Sequence, residues 1–344
     1  MKLNVATKSL HPRNVFRISR AARGQVQNVF LELRSDGVCG RGEASPNAFY
    51  NETATNVAQR LVQAAPFVAG LKVESVADIG RAWEEAWALL APSRAAQCAL
   101  DLALWDMLAR RRGVSVAALA LHKPPRPVRT FCTVGISDAE ELARKAAELR
   151  GFPLVKIKSD VLADMGVAAF IRKQTGAALA VDANCAWEAA DLATVSRALA
   201  RLGGLFIEQP LSPALDEQMP ERLAASVLPI LADESCVSLA DVERMPGRFS
   251  GFNVKLVKCG GLTPALAMVR LGRALGLQTM VGCMLESSLL IAAGMVAAQE
   301  SDYADLDGAW LLRDDPFEGT AFAHGVLTPW PGPGFGVEPR AGAF

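Results

Sequence analysis

Two rhythms of apolar and polar residues divide the chain. Up to about residue 124, strand-like runs come first and helical spacing follows. Residues 26–36 (VQNVFLELRSD) form a β-rich run, and 37–46 (GVCGRGEASP) carry a turn and a second strand. From Asn51 to Gly113 the apolar positions recur at helical intervals. In 93–113, Ala96, Leu100, Ala103, Leu104, Met107 and Leu108 make one stripe, and Arg-Arg-Arg-Gly supplies a stop. Strands followed by helices predict an α+β unit, and the proline-rich KPPRPV at 123–128 reads as a linker. Beyond it the rhythm alternates. The short apolar runs VRTFCTV, PLVKIK, ALAVDA, GLFIEQ, LPILADE, GFNVKL and LQTMVG are followed by helical stretches such as AEELARKAAELRG and PALAMVRLGRALG. Alternation predicts parallel strands. Seven or eight strand–helix units over about 200 residues predict a (β/α) barrel, with a doubly wound open sheet as the competing arrangement. No G-x-G-x-x-G opens any of these helices, which argues against a dinucleotide site.

A charged residue closes one apolar run after another: Lys158, Asp182, Glu208, Asp233 and Lys255, spaced by 24, 26, 25 and 22 residues. That spacing is one strand–helix unit, so each sits at the C-terminal end of its own strand, the rim where barrel enzymes build their active sites. Charges converging on one mouth are costly unless they satisfy each other or a metal. Any one of the acids alone is as readily a helix cap or the partner of a surface cation. Three at matching register, flanked by two lysines, describe a Mg²⁺ site of hard oxygen ligands. Lys156 and Lys158 lie two apart on VKIK and so share one side of a strand. Lys255 lies across the mouth. Two lysines facing each other over a metal-bound carboxylate or carbonyl can remove a proton from one face of a carbon and return one to the other. Lys258 reads as a neighbour of the Lys255 loop, not as a base.

Composition narrows the picture further. The 344 residues carry 36 Lys+Arg against 36 Asp+Glu, so there is no electrostatic footprint for nucleic acid or an anionic membrane. A 51% hydrophobic share easily supplies a core, yet no run approaches the length needed to span a bilayer. The start, MKLNVATKSL, has no apolar signal core, and the seven cysteines include no C-x-x-C pair. Reduced thiols and a cytoplasmic location are the expectation.

The residues at the strand ends resemble the enolase superfamily, and within it the dipeptide epimerases of the muconate-lactonizing subgroup. The matching stretches are VKIK (155–158), VDAN (181–184), IEQPL (207–211), ADES (232–235), NVKLVKCGGLT (253–263), GCMLESS (282–288) and ADLDG (304–308). FRISR (16–20) and GRGEASPNAFYNET (40–53) resemble the loops of that family's capping domain. The resemblance implies a modified (β/α) TIM-type barrel at 125–320. An α+β cap would be formed by residues 1–124, with 321–344 packing back on it. It implies Asp182, Glu208 and Asp233 as ligands of one Mg²⁺ per subunit, Lys158 and Lys255 as the acid/base pair, and Lys156 as a contact to the substrate carboxylate. Thr133, Cys283, Asp305 and Asp307 become substrate contacts, the two aspartates facing a dipeptide's ammonium. Segments 15–25 and 45–53 become lid loops, in which Arg17, Arg20 and Arg23 are candidates for an acidic side chain, Arg20 foremost. Glu286 departs from the pattern and suits either a cationic group or a loop contact.

The implied activity is epimerisation of a dipeptide such as L-Ala-L-Glu to L-Ala-D-Glu, by a homo-oligomer. An o-succinylbenzoate synthase, an N-acylamino-acid racemase, a cycloisomerase and a non-catalytic binding barrel are the alternatives. The Asp-x-Asp pair argues against the lyases, which have no ammonium to hold.

Overall fold

The computed structural model describes residues 1–18, 21–159, 165–187 and 191–342. The N-terminal unit is an antiparallel meander of β1 (Lys2–Leu10), β2 (Val26–Ser35) and β3 (Val38–Ala44), with β2 in the middle. Helices α1 (Ala54–Gln63), α2 (Val76–Leu90) and α3 (Arg94–Arg111) follow. Each starts on a hydroxyl side chain, Thr53, Ser75 and Ser93, that accepts a backbone N–H of the first turn.

The apolar stripe on α3 predicts one buried face, but the structure buries every residue from Ala95 to Ala109. The helix is pressed between β3 and the barrel. Gly40 and Gly42 permit the contact: a Cβ at Gly42 would stand 1.9 Å from the Ala99 carbonyl, and one at Gly40 2.2 Å from that of Ala103. On its other side Trp105 Nε1 donates to Thr263 Oγ1 at 2.9 Å.

Eight parallel strands then follow in chain order: β4 (Cys132–Val134), β5 (Leu154–Lys158), β6 (Ala178–Asp182), β7 (Gly204–Glu208), β8 (Ile230–Ala232), β9 (Gly251–Lys255), β10 (Gln278–Gly282) and β11 (Tyr303–Asp305). Sequential neighbours throughout are the order of a barrel and exclude the doubly wound sheet. The first and last strands are joined where Phe131 N–H donates to the Ala304 carbonyl at 2.8 Å and Leu306 N–H to Thr130 Oγ1 at 2.7 Å. Among the outer helices, α4 (Leu262–Ala274) follows β9 and α5 (Ser288–Ala298) follows β10.

Inside the barrel, Phe131, Ala180, Phe206, Leu231 and Met280 form a separate apolar cluster, against which Leu154 and Tyr303 pack. Phe131 meets Phe206 edge-on at 5.5 Å, and Phe206 lies 5.0 Å from Tyr303. Successive side chains of a strand point to opposite faces, so the next inward positions are two residues on. They are Thr133, Lys156, Asp182, Glu208, Asp233 and Asp305. An apolar floor therefore carries a polar layer directly above it.

The C-terminal hairpin Thr320–Ala323/Val326–Pro329 pairs with Val128–Arg129. The tail beyond reaches α3, where Phe335 N–H donates to Asp106 at 3.0 Å and Arg110 bonds Glu338 at 2.6 Å. No helix among the described residues is long and apolar enough to cross a membrane.

Candidate active site

Asp182 and Glu208 end adjacent strands and Asp233 directly follows the next, and each offers an oxygen lying within 4.8 Å of the others. All three are buried, Asp182 and Glu208 completely. Burial would raise the Asp182 carboxyl, but Lys158 and Lys156 outweigh it and hold the group at about 2. Asp233 is likewise driven well below its ordinary value, with Lys255 and Lys258 overcoming burial. Glu208 goes the other way, pushed up to about 7 by burial and by the neighbouring Asp182. Its Oε2 makes no well-directed hydrogen bond although Lys156 Nζ stands 2.6 Å away. Three convergent hard oxygens, one of them poorly served, fit a divalent cation of the Mg²⁺ kind.

The lysines divide into two depths. Lys156 is 1% exposed and lies among the acids, 3.2 Å from Asp182, 2.6 Å from Glu208 and 2.7 Å from Asp305. Lys158 and Lys255 stand higher and line the cavity over the mouth, which encloses about 790 Å³ open to solvent. Lys158 Nζ bonds Asp182 at 2.5 Å and Lys255 Nζ bonds Asp233 at 2.7 Å. β5 and β9 are the second and sixth of eight strands, so the two ammonium groups face each other across the barrel diameter.

Thr133, Cys283, Asp305 and Asp307 line the same cavity. Thr133 ties the two aspartates together, its N–H donating to Asp307 Oδ2 at 2.6 Å and its hydroxyl to Asp305 Oδ1 at 3.2 Å. Burial and the adjacent Asp305 push the Asp307 carboxyl up to about 7. Two neighbouring carboxyls of this kind call for a cation between them. Burial and Glu286 hold Cys283 well above its usual value, as a neutral thiol.

The lid arginines separate. Arg20 lies outside the described residues. Arg17 is turned to Glu141 at 3.6 Å, whereas Arg23 lines the cavity and donates to Asn47 Oδ1 at 3.2 Å. Glu286 takes the loop role: its Oε1 accepts Met284 N–H at 2.9 Å, and burial raises its carboxyl to about 8.

Several supporting residues escaped the sequence reading. Asn253 donates to Glu208 Oε1 at 2.8 Å, and its place two residues before Lys255 was the available signal. Gln209, at a φ of 38°, accepts Asp233 N–H at 2.7 Å and donates to Ser235 Oγ at 2.7 Å, linking two ligand-bearing loops. Lys258, read as a mere neighbour, grips Asp233 Oδ1 and the carbonyls of Asp233, Cys236 and Asn253 at 2.6–3.1 Å.

Comparison with known proteins agrees with this geometry. Residues 2–120 match the mandelate racemase / muconate lactonizing enzyme N-terminal domain, and residues 138–343 match the enolase C-terminal domain-like family. The chain is 37% identical over 328 residues to the L-Ala-D/L-amino acid epimerase of Flavobacterium johnsoniae, covering 95% of this chain and 96% of that one. It is 38% identical over 315 residues to the L-Ala-D/L-Glu epimerase of Escherichia coli K12, covering 91% and 94%. Among solved structures, the dipeptide epimerase of Methylococcus capsulatus, complexed with Mg and L-Arg-D-Lys, superposes with a TM-score of 0.86 at 30% identity over 98% of this chain and 99% of that one. The matched domains, the eight-stranded barrel and the acid triad between two lysines agree: the chain belongs to the enolase superfamily, in its mandelate racemase / muconate lactonizing branch.

Proposed function

We propose that this protein is an isomerase, a dipeptide epimerase that inverts the α-carbon of a dipeptide's C-terminal residue. The observation that carries the reading is the pair Lys158 and Lys255, on diametrically opposed strands and lining one cavity. One neutral lysine accepts the α-proton from its face of the carbon, and the opposite ammonium donates a proton to the other face. No net proton is gained, and the configuration inverts. Asp182, Glu208 and Asp233 would hold Mg²⁺, which supplies the fixed positive charge against which a carbon beside a carboxylate becomes acidic. Lys156 adds a second cation beneath the substrate carboxylate. Asp305 and Asp307, spaced by Thr133, take the ammonium, and Cys283 forms an uncharged wall.

Among the described residues, Arg23 is the lid arginine that lines the cavity, which suits a C-terminal side chain ending in a carboxylate and favours L-Ala-L-Glu or a related dipeptide. Residues 1–124 with 321–344 act as the cap that excludes water over this mouth.

Proton NMR in deuterated water tests the reading. With Mg²⁺ and L-Ala-L-Glu, the glutamyl α-proton should disappear as the diastereomeric signals of the D-residue grow. If free dipeptides stay unlabelled while N-acylated amino acids or succinylbenzoate precursors react, the epimerase reading fails.

A further inference from the structure

Gln209 touches all three loops that carry the acid triad. It follows Glu208 directly, and its backbone ties the end of β7 to both neighbouring strands. Its carbonyl accepts Cys185 N–H at 2.8 Å from the loop after β6, and its own N–H donates to the Leu231 carbonyl of β8 at 2.9 Å. The side chain reaches the third loop. Oε1 accepts the N–H groups of Asp233 at 2.7 Å and Ser235 at 3.1 Å, while Nε2 donates to Ser235 Oγ and to the Leu211 carbonyl, both at 2.7 Å. Ser235 in turn donates to Asp216 Oδ1 at 2.7 Å. Gln209 is fully buried, and each of its polar groups is used.

The backbone at this position is held against its preference. A residue before proline ordinarily lies in the extended region, yet Gln209, before Pro210, has a φ of 38°. Glycine adopts that conformation without steric cost. Glutamine bears the strain here and supplies an amide that glycine lacks. Such strain persists only where the surroundings over-determine it, and it gathers at functional sites. The six hydrogen bonds end on backbone and hydroxyl groups, not on the triad carboxylates. What they fix is where the loops of Asp182, Glu208 and Asp233 stand relative to one another. Resting on the Mg²⁺ assignment above, we infer that Gln209 is a positioning residue for the metal, and that by joining the three ligand loops it makes the site selective for Mg²⁺ over Ca²⁺. Mg²⁺ demands near-ideal octahedral geometry at about 2.1 Å, whereas Ca²⁺ accepts flexible arrangements at about 2.3–2.6 Å. Loosened loops therefore cost the smaller ion more.

The test is calorimetric titration of Mg²⁺, and separately of Ca²⁺, into the metal-free full chain. Gln209→Met keeps the length of the side chain and removes its amide. It should weaken Mg²⁺ binding about 10–100-fold, the range for groups that orient metal ligands, and Ca²⁺ binding by a smaller factor. Ser235→Ala removes a partner of Nε2 but leaves Oε1 its two N–H groups, so it should shift both constants in the same sense and less. If circular dichroism shows Gln209→Met unfolded, Ser235→Ala decides by the same criteria. Glu43→Ala controls for general loosening, because it also strips two buried N–H groups, those of Ser287 and Leu290, of their acceptor. It should bind both ions as the wild type does. Wild-type constants in the folded variants, equal losses for Mg²⁺ and Ca²⁺, or the same loss in Glu43→Ala would overturn the positioning role while leaving the metal assignment standing. A wild type that binds no Mg²⁺ overturns the assignment itself, and the role of Gln209 with it.

Discussion

Buried acids occur in two regions of this molecule, and their partners separate them. In the barrel mouth Asp182, Glu208 and Asp233 face one another and four lysines. Elsewhere, within the N-terminal unit and along its seam with the barrel, Glu43, Glu52 and Asp101 each face the start of a helix. Glu43 accepts the N–H groups of Ser287 at 3.0 Å and Leu290 at 3.3 Å, capping α5. Glu52 accepts Ala95 N–H at 3.0 Å on α3, and Asp101 accepts Thr263 N–H at 3.0 Å on α4. Helix starts present unpaired N–H groups and the positive end of the macrodipole, so a lone carboxylate is well placed there. Without a lysine beside them, burial dominates and pushes Glu43 and Asp101 up to about 7. Beside lysines the same burial is overcome at Asp182, which falls to about 2, though not at Glu208, which burial and Asp182 hold at about 7. An acid among backbone donors joins two parts of a fold. Acids crowded together among lysines form a site that can take a metal.

If that division is right, the largest effects belong to the mouth. Replacing Lys158 or Lys255 by Ala should cost roughly 10⁴ in epimerisation, the upper range for a positioned acid or base, with the thermal midpoint nearly unchanged. Chiral chromatography reads the loss. NMR in deuterated water should still show α-proton exchange of the one isomer that faces the surviving lysine. Full activity in both single variants would remove the two-base scheme. Stripping the metal with a chelator should lower the rate by about 10²–10³, as loss of a fixed electrostatic contact does, while circular dichroism stays constant. Unchanged rates after verified metal removal would break the parallel between acid clustering and metal binding.

Asp307→Asn should lower kcat/KM for free dipeptides by roughly 10², or about 3 kcal/mol, the lower range for an interrupted buried ion pair. N-acetylating the substrate should harm the wild type similarly and add little to the variant; a full additional loss would place the ammonium elsewhere. The seam should respond least, and in stability instead of rate. Glu43→Ala should cost about 1–2 kcal/mol, the value of a helix cap, read as a lower denaturation midpoint with activity per folded molecule retained.

The seam also has a pH signature. Asp101 holds its proton in the fold up to about 7, whereas the unfolded chain releases it near 4, so the fold binds more protons between those values. Stability from this group therefore falls as pH rises through that window. Asp101→Asn should gain on the wild type from pH 4 to about 7 and then run parallel to it. A difference that is flat throughout would show that Asp101 stays ionised.

The contrast also explains what the sequence revealed and what it concealed. The mouth was legible because a barrel repeats: one unit per 22–26 residues and one inward face per two residues bring Lys158, Asp182, Glu208, Asp233 and Lys255 to one rim. The same period reaches Asn253 and the floor. The seam has no period. Glu43 and Ser287 are 244 residues apart, and Asp101 and Thr263 are 162 apart, so each acid looks like an interruption of an apolar run until its distant helix start is seen. The stripe on α3 was real but understated the burial, because Gly40 and Gly42, which let the strand backbone meet the helix, carry no hydrophobic signal. Lys258 was underread for a similar reason: two of its carbonyl partners, Asp233 and Cys236, belong to a loop whose path the sequence does not give.

The ring cluster of Phe131, Phe206 and Tyr303 turns the barrel into a cul-de-sac. Substrate, product and displaced water share one doorway, so molecules take turns instead of flowing through. Each departure precedes the next arrival, and the lysines meet fresh solvent only in the interval. Where exit through that doorway limits turnover, a thickened medium slows it even when the carbon's acidity is untouched.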